Sequence, residues 1–335
     1  MNHNYAVILA GGGGTRLVPM STDGRPKQFI DLLNCGRTMI QLTFDRLEKI
    51  MPAKDIFIVA NGCYLKLIHE QLPQIKQQNI FLELFKKNTA PAIAYAAYKI
   101  FQKDLEAKLL ICPSDHFISP DEEFIKNVNQ AFDFVVANDV LLTLGVKPAS
   151  PHTGYGYINF ETGENKIKKV VRFTEKPDSE TAKKFLETGN YFWNAGIFVW
   201  SAKTILEALG KYVPELNQKF TQVEFGSDRE DPAINKIFEE ITPISIDYAV
   251  LEKAENVFVL PADFKWTDLG SWRAIFDKLK KSNKTKIVLD KKWLICPADN
   301  QNLDEIKFRN IKYQIIDQQD GLLIGQRISK NYAKL

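Results

Sequence analysis

Short apolar runs alternate with longer amphipathic stretches through the first half of the chain. The runs are residues 6–10, 55–60, 79–84, 108–112 and 140–146. Runs of this length are typical of buried strands, and the segments between them have the apolar spacing of helices. The alternation predicts parallel strands joined by crossover helices, that is, an α/β fold with a doubly wound, mostly parallel sheet. In such sheets ligands bind beyond the carboxyl ends of the strands.

The second half of the chain has a more mixed pattern. Residues 155–160 and 166–173 predict two strands joined by a turn. The lysine-rich stretch near residue 280 lacks interleaved aromatic residues, which favours a solvated linker over a nucleic-acid-binding segment. We therefore expect a main domain over residues 1–276, a linker over 277–286 and a small β-rich appendage over 287–335, which could support a homodimer.

Composition narrows the class of protein. The 335 residues are 45% hydrophobic and 25% charged, as in ordinary globular proteins, and the net charge of +3 is spread along the chain, so we expect no nucleic-acid partner. No apolar run approaches the ~18–20 residues of a membrane span, and the first run breaks at Gly11, unlike a signal peptide. The four cysteines form no C-x-x-C pair, which favours a reducing cytoplasm over a disulfide or zinc framework.

The first apolar run ends in four glycines, and two basic residues follow it. Backbone N–H groups of glycines can approach a polyphosphate closely, and Arg16 and Lys27 supply positive charge. The loop is neither a Walker A motif nor the dinucleotide pattern G-x-G-x-x-G, because Arg16 or Leu17 stands where the third glycine would be. The segment therefore predicts a phosphate-binding loop, with a flexible glycine turn as the alternative.

These residues resemble the L-A-G-G-x-G-T-R-L-x-P…P-K signature of the sugar-phosphate nucleotidyltransferases. Later blocks follow in that family's order and are most similar to the mannose-1-phosphate guanylyltransferases. The blocks are NTAPAIAYAA at 88–97, PSDHFI at 113–118, HTGYGYI at 152–158, FTEKPD at 173–178, WNAGIF at 193–198, SIDYAVLEK at 245–253 and WTDLGSW at 266–272. The resemblance covers about four fifths of the chain, and we expect a short form without the isomerase domain that some members carry.

The resemblance implies a Rossmann-like nucleotidyltransferase fold that transfers GMP from GTP to mannose 1-phosphate with Mg²⁺. It implies catalytic roles for Arg16 and Lys27 and metal binding by Asp115 and Asp268. Nucleotide binding is expected of Leu9, Ala10, Gly11, Gly12, Gly13, Gly14, Thr15, Arg16, Asn88, Pro113, Ser114 and Asp115. Sugar binding is expected of Tyr155, Gly156, Glu175, Lys176 and Asn194.

Departures from the family pattern leave the substrates open. A tryptophan is usual where Val18 stands, Glu83 is followed by Leu84 instead of proline, and Lys87 replaces an arginine. The alternatives are the same chemistry with another NTP or hexose 1-phosphate, and a non-catalytic paralogue that binds a sugar nucleotide. A paralogue of that kind would be expected to lose a phosphate or metal residue, and none is lost. A nicotinamide dehydrogenase is disfavoured because the third glycine is missing.

Overall fold

A computed structural model describes residues 3–13, 15–18, 20–279, 287–289, 293–297, 305–308, 311–319 and 321–328. Two compact units are built from separate stretches of the chain. The first comprises Met1–Gly12, Thr43–Ser114 and Ile118–Trp266, and the second comprises Gly13–Leu42, Asp115–Phe117 and Thr267–Leu335. Residues 280–286 of the predicted linker lie outside the described residues, and the predicted domain boundaries stay a prediction.

The strands are given in chain order. They are β1 (Asn4–Leu9), β2 (Ile56–Asn61), β3 (Ile80–Glu83), β4 (Lys108–Pro113), β5 (Phe117–Ser119), β6 (Leu141–Val146), β7 (Tyr157–Phe160), β8 (Lys168–Thr174), β9 (Tyr191–Ser201), β10 (Val257–Pro261), β11 (Lys265–Thr267), β12 (Ile287–Leu289), β13 (Trp293–Pro297), β14 (Glu305–Phe308), β15 (Ile311–Gln319) and β16 (Leu322–Arg327).

The helices interleave with these strands. They are α1 (Met39–Glu48), α2 (Leu65–Gln71), α3 (Thr89–Phe101), α4 (Asp121–Ala137), α5 (Ser179–Thr188), α6 (Ala202–Tyr212), α7 (Pro214–Thr221), α8 (Glu230–Glu240) and α9 (Trp272–Leu279), with a π-helical turn at Asp247–Leu251. No helix in the described part of the chain combines the length and apolar character needed to cross a bilayer.

Nine strands form one sheet in the first unit, in the order β3-β2-β1-β4-β9-β6-β10-β8-β7. The first four pair in parallel, as do β6 and β10, whereas β9 lies between β4 and β6 and runs antiparallel to both. The predicted hairpin is β7 and β8, with Ile158 opposite Phe173. The predicted α/β class is confirmed, and the sheet is mixed because β9 and β8 run against their neighbours.

Both faces of the parallel strands are covered. Val7, Val59 and Ile111 pack with α3 in one apolar cluster, while Ala6 and Ile8, which alternate with Val7 along β1, are also fully buried. Burial of each large aliphatic side chain contributes about 1.5–3 kcal/mol. Continuous apolar runs such as residues 6–10 are therefore explained by strands that are buried on both faces.

The second unit contains a five-stranded antiparallel sheet in the order β12-β13-β16-β15-β14, formed by the β-like runs after residue 286. Trp293 and Ile295 on one face of β13 belong to the same apolar cluster as Leu17, Leu269 and Trp272. The strands of this sheet thus share a core with Leu17, which follows the glycine loop, with Leu269, just before α9, and with Trp272 at the start of α9.

Candidate functional site

The carboxyl ends of β1 and β4 lie side by side in the first unit. Leu9 is opposite Pro113, and the Ser114 amide donates a hydrogen bond to the Leu9 carbonyl at 3.1 Å. The Ala10 amide donates to the Val59 carbonyl at 2.8 Å, so strand pairing continues to the first glycine. The structure therefore brings Leu9, Ala10, Pro113 and Ser114 together at the edge where a ligand was predicted.

Gly11 packs directly against a buried carboxylate. A Cβ atom at Gly11 would lie 2.2 Å from Oε1 of Glu83, so no larger residue fits while Glu83 keeps its position. Glu83 is the last residue of β3 and is 5% exposed, and its Oε2 has no hydrogen-bond partner in the described part of the chain. Burial raises the pKa of Glu83 to about 7, against a smaller lowering by Lys86.

Glu83 is a functional candidate that sequence reasoning missed. The sequence drew attention only to the residue that follows it. The available signal was an acidic residue at the very end of a buried apolar strand, where a ligand is expected. A buried carboxylate with an unused acceptor atom beside the predicted nucleotide loop can accept hydrogen bonds from a ligand.

In the second unit the chain continues from Gly13 into a short 3-10 turn over Thr15–Leu17. Leu17 is fully buried and Arg16 is exposed, while Gly14 lies outside the described residues. The Trp272 indole N–H donates to the Val18 carbonyl at 3.2 Å. The buried leucine and the indole of α9 therefore fix the turn that carries Arg16.

A cavity of about 300 Å³ in the second unit holds four of the predicted residues. It is lined by Arg16, Leu17, Lys27, Asp115, His116, Asp268 and Gly270. Lys27 is only 5% exposed, and its ammonium lies 2.8 Å from Oδ2 of Asp115 and also donates to the backbone carbonyl of Asp268. Two cationic and two acidic side chains thus meet around one cavity.

Asp115 is kept ionised by its neighbours. Burial acts to raise its pKa, but the Lys27 ammonium, with a smaller contribution from His116, holds the pKa of Asp115 below its ordinary value. Nε2 of His116 lies 3.8 Å from Oδ1 of Asp115. The group is therefore a carboxylate at neutral pH, which is the form that binds a cation.

The loop around Asp268 holds that carboxylate in place. The Gly270 amide donates to Oδ1 of Asp268 at 3.0 Å, and a Cβ atom at Gly270 would lie 2.5 Å from Oδ2. Leu269, between them, is fully buried with a φ of 46°, an unusual backbone conformation for leucine that the packing maintains. No group of three or more His, Cys, Asp or Glu side chains among the described residues could hold a metal, so a cation here would rest on Asp115, Asp268 and oxygens of water or ligand.

The predicted sugar residues meet in the first unit. A Cβ atom at Gly156 would lie 2.5 Å from Oε2 of Glu175 and 3.4 Å from Cβ of Asn194. The backbone amide of Asn194 donates to the Gly156 carbonyl at 2.8 Å, and Lys176 forms an ion pair with Glu175. Lys176 has a φ of 45°, so its backbone is held in a conformation that is unusual for a lysine. Glu175 and Asn194 therefore border one glycine, and the Lys176 ammonium pairs with the Glu175 carboxylate.

Tyr155 is locked by aromatic neighbours. Its ring stacks on His152 with centroids 3.9 Å apart and meets Trp193 and Trp266 edge-on at 5.1 and 4.9 Å. Such contacts fix the ring and the loop that carries Gly156.

Two further residues lie at the starts of helical segments. Asn88 precedes α3 as its N-cap, where its side-chain oxygen accepts a hydrogen bond from the Thr89 amide at 2.9 Å, and its nucleotide contact stays a prediction. Asp247, which lies in the sequence block at 245–253, accepts a hydrogen bond from Nδ2 of Asn194 at 3.0 Å. Burial and the charge of Glu175 raise the pKa of Asp247 to about 7.

Comparisons with known proteins identify relatives of the whole chain. The family model for nucleotidyl transferase matches residues 5–285. The chain is 38% identical over 283 residues to the xanthan biosynthesis protein XanB of Xanthomonas campestris pv. campestris (strain ATCC 33913), with 83% of this chain and 60% of that protein covered. It is 33% identical over 348 residues to a mannose-1-phosphate guanylyltransferase of Salmonella muenchen, with 100% of this chain and 72% of the relative covered.

A solved structure is also similar. It is a Thermus thermophilus protein described as a mannose-1-phosphate geranyltransferase, with 28% identity, a TM-score of 0.76, and 84% of this chain and 80% of that chain covered.

Proposed function

The chain belongs to the nucleotidyl transferase family, and we propose that it transfers GMP from GTP to mannose 1-phosphate, giving GDP-mannose and pyrophosphate. The observation that carries the proposal is the cavity of the second unit, where Arg16, Lys27, Asp115 and Asp268 meet. The name of the Salmonella muenchen relative, a mannose-1-phosphate guanylyltransferase, supports the choice of substrates.

The reaction needs positioning and charge stabilisation more than a side-chain base. A phosphate oxygen of the sugar phosphate attacks the α-phosphorus of GTP, a new P–O bond forms, and the bond to the bridging oxygen of the β-phosphate breaks. The electron pair of that bond leaves with pyrophosphate. The attacking phosphate has a second pKa near ~6, so it is already ionised at neutral pH. The barrier lies in bringing two anions together and in the charge of the leaving group.

Arg16 and Lys27 suit that electrostatic task. The Arg16 guanidinium is exposed at the cavity and can bind phosphate oxygens in a bidentate manner. The Lys27 ammonium is nearly buried and held by Asp115, so it adds a fixed positive charge. Both charges would stabilise the pyrophosphate as it leaves.

Asp115 and Asp268 would hold Mg²⁺, which prefers one or two carboxylates together with water and phosphate oxygens. The residues fit this role because both line one cavity, Lys27 and His116 keep Asp115 ionised, and Gly270 leaves no side chain beside the Asp268 carboxylate. When bound, the ion would supply positive charge to the phosphates during transfer.

Glu83 supports guanine as the base. The Watson–Crick edge of guanine presents two neighbouring donors, N1–H and the 2-amino group, which one carboxylate can accept together. Adenine and cytosine each present a donor beside an acceptor on that edge, and uracil presents one donor between two acceptors. An ionised Glu83 beside Gly11 of the nucleotide loop therefore matches guanine best.

The direct test is a pyrophosphate-release screen of four NTPs against several hexose 1-phosphates. The proposal expects the highest kcat/KM with GTP and mannose 1-phosphate. Glu83→Gln should lower kcat/KM with GTP about tenfold or more, because a hydrogen bond to a charged group contributes about 1.5–3 kcal/mol. Binding of a sugar nucleotide without turnover would indicate the regulatory paralogue, and turnover of a different pair would correct the substrates.

Two substitutions test the metal role. Asp115→Asn should remove most activity at low Mg²⁺ and leave the fold intact. Gly270→Ala should displace the Asp268 carboxylate and raise the Mg²⁺ concentration needed for half-maximal rate, whereas Gly24→Ala, where a Cβ meets nothing within 4 Å, is the matched control. A fully active Asp115→Asn enzyme would contradict metal binding at this residue.

The proposal also includes a cytoplasmic location and a homodimer. The cysteine usage supports the location, since the described chain contains only free cysteines. The antiparallel sheet of the second unit has two edge strands, β12 and β14, that could pair with a second copy. Light scattering of the purified protein tests the oligomeric state.

A further inference from the structure

The side-chain amide of Asn194 has almost no hydrogen-bonding capacity left. Its Oδ1 accepts from the Gly196 backbone amide at 3.1 Å and also lies 3.1 Å from the Thr143 hydroxyl, whose single proton is shared with the Ile197 carbonyl at 3.3 Å. Its Nδ2 donates to Oδ1 of Asp247 at 3.0 Å. Among the described residues one N–H of the amide has no partner, so Asn194 can offer a ligand a single donor.

Asp247 holds the Nδ2 side of this amide. The backbone amide of Gly196 can only donate and therefore requires Oδ1 on its side, which directs Nδ2 toward the Asp247 oxygen that accepts from it. Asp247 begins the π-helical turn Asp247–Leu251, whose Ala249 and Val250 are fully buried. The position of the carboxylate is therefore set by a packed backbone.

We propose that Asp247 is a positioning residue of the sugar site: it orients Asn194 so that the amide donates its single remaining N–H to an oxygen of the hexose 1-phosphate. The Glu175 carboxylate borders Gly156, as Asn194 does, and supplies an acceptor. One donor beside one acceptor matches a sugar hydroxyl, which needs both. This inference rests on the proposed function because it assigns a role within the same sugar site.

The contacts distinguish this role from simple helix capping. The side-chain oxygens of an aspartate that only caps a helix accept hydrogen bonds from backbone amides at the start of its own turn. Asp247 accepts from its own backbone amide and from the Ser245 hydroxyl, and in addition from a side chain 53 residues away, on β9. The neighbouring charged groups, Glu175 and Lys176, belong to the end of β8 and already form an ion pair with each other.

The test compares two variants of Asp247 and one control variant by steady-state kinetics. Asp247→Ala should raise the KM for mannose 1-phosphate up to about tenfold and leave the KM for GTP within about twofold, since Asn194 no longer holds its N–H toward the sugar and that hydrogen bond is lost. Asp247→Asn should restore much of the affinity, because its carbonyl oxygen can still accept from Asn194. Asp133→Ala, on the exposed surface of α4, is the control and should change neither KM.

A double-mutant cycle tests whether Asp247 acts through Asn194. If Asp247 acts through Asn194, the Asp247→Ala substitution should change the KM for mannose 1-phosphate by less than about twofold in protein that already carries Asn194→Ala. In otherwise wild-type protein the same substitution should change this KM about tenfold. Additive effects, an unchanged KM in Asp247→Ala, or an equal rise of both KM values would overturn the inference. Asp247→Ser replaces the alanine variant if that variant does not purify as folded protein.

A binding measurement separates this inference from the proposed function. Mannose 1-phosphate is titrated calorimetrically into the full-length protein without GTP. If the wild-type protein neither binds nor turns over any hexose 1-phosphate, the proposed function is wrong and the inference with it. If the wild-type protein binds and Asp247→Ala binds equally well, only the inference is wrong.

Discussion

Replacing Glu83 by glutamine should stabilise the unliganded protein at neutral and alkaline pH. The side chain is 5% exposed, and burial raises its pKa from an ordinary 4.5 to about 7. The folded state therefore holds the proton more tightly than the unfolded chain does. Stability falls as the pH rises from 4.5 to about 7 and stays at the lower level above 7.

The size of the effect follows from that displacement of the pKa. Each unit of pKa corresponds to about 1.4 kcal/mol, so the ionised carboxylate costs the folded state up to about 3 kcal/mol. Glutamine has nearly the same shape and no charge. Glu83→Gln should therefore be more stable than wild type by up to about 3 kcal/mol above pH 7, and this advantage should disappear as the pH falls to 4.5.

Urea unfolding followed by tryptophan fluorescence measures this difference across the pH range. Glu187→Gln, on the exposed surface of α5, removes the same charge and should stay within about 0.5 kcal/mol of wild type at every pH. A Glu83→Gln advantage that is absent at pH 8, or that is the same at every pH, would refute the burial of an ionised carboxylate. Greater stability together with weaker GTP use would show that the charge is retained for binding.

Three further variants probe the other groups. Gly11→Ala should lower kcat/KM with GTP, measured by pyrophosphate release, about tenfold, because the new methyl group displaces the Glu83 carboxylate. The same substitution should have little effect in protein that already carries Glu83→Ala. A tenfold loss in both backgrounds would mean that the methyl group contacts the nucleotide itself. Lys27→Met should lower the free energy of unfolding by about 1–3 kcal/mol at pH 7, because the Asp115 carboxylate loses its ammonium partner, and an unchanged urea midpoint would contradict this. Lys176→Ala should raise the KM for mannose 1-phosphate more than the KM for GTP, and equal rises would argue against a sugar-phosphate contact.

The parts of the fold that could be predicted were those with a local signal. The apolar runs at 6–10 and 108–112 correspond to β1 and β4, because a strand buried on both faces is apolar at every position. The pairing of these strands places Leu9 opposite Pro113 and makes both carboxyl ends part of one edge. Crossover connections make neighbouring strands parallel, so the shared edge of their carboxyl ends could be predicted from the sequence.

The rest depends on neighbours that are distant in sequence. Nothing local to β9 indicates that it lies between β4 and β6 and runs against both. Glu83 gains its significance only from Gly11, which follows another strand, and Asp247 only from Asn194. For Glu83 and Asp247 the informative quantity is the burial of the side chain or its unused hydrogen-bonding capacity, and a single sequence does not reveal either.

The composition of the second unit's core has a consequence for protein synthesis. Leu17, which anchors the turn carrying Arg16, shares its apolar cluster with Ile324 on β16, so the cluster joins an earlier and a later segment that lie 307 positions apart in the chain (324 − 17). On the ribosome the early segment must wait for the late one before its core can close. Nascent chains stalled before β16 should therefore carry Arg16 on an incompletely packed turn, remain inactive, and expose apolar surface to chaperones.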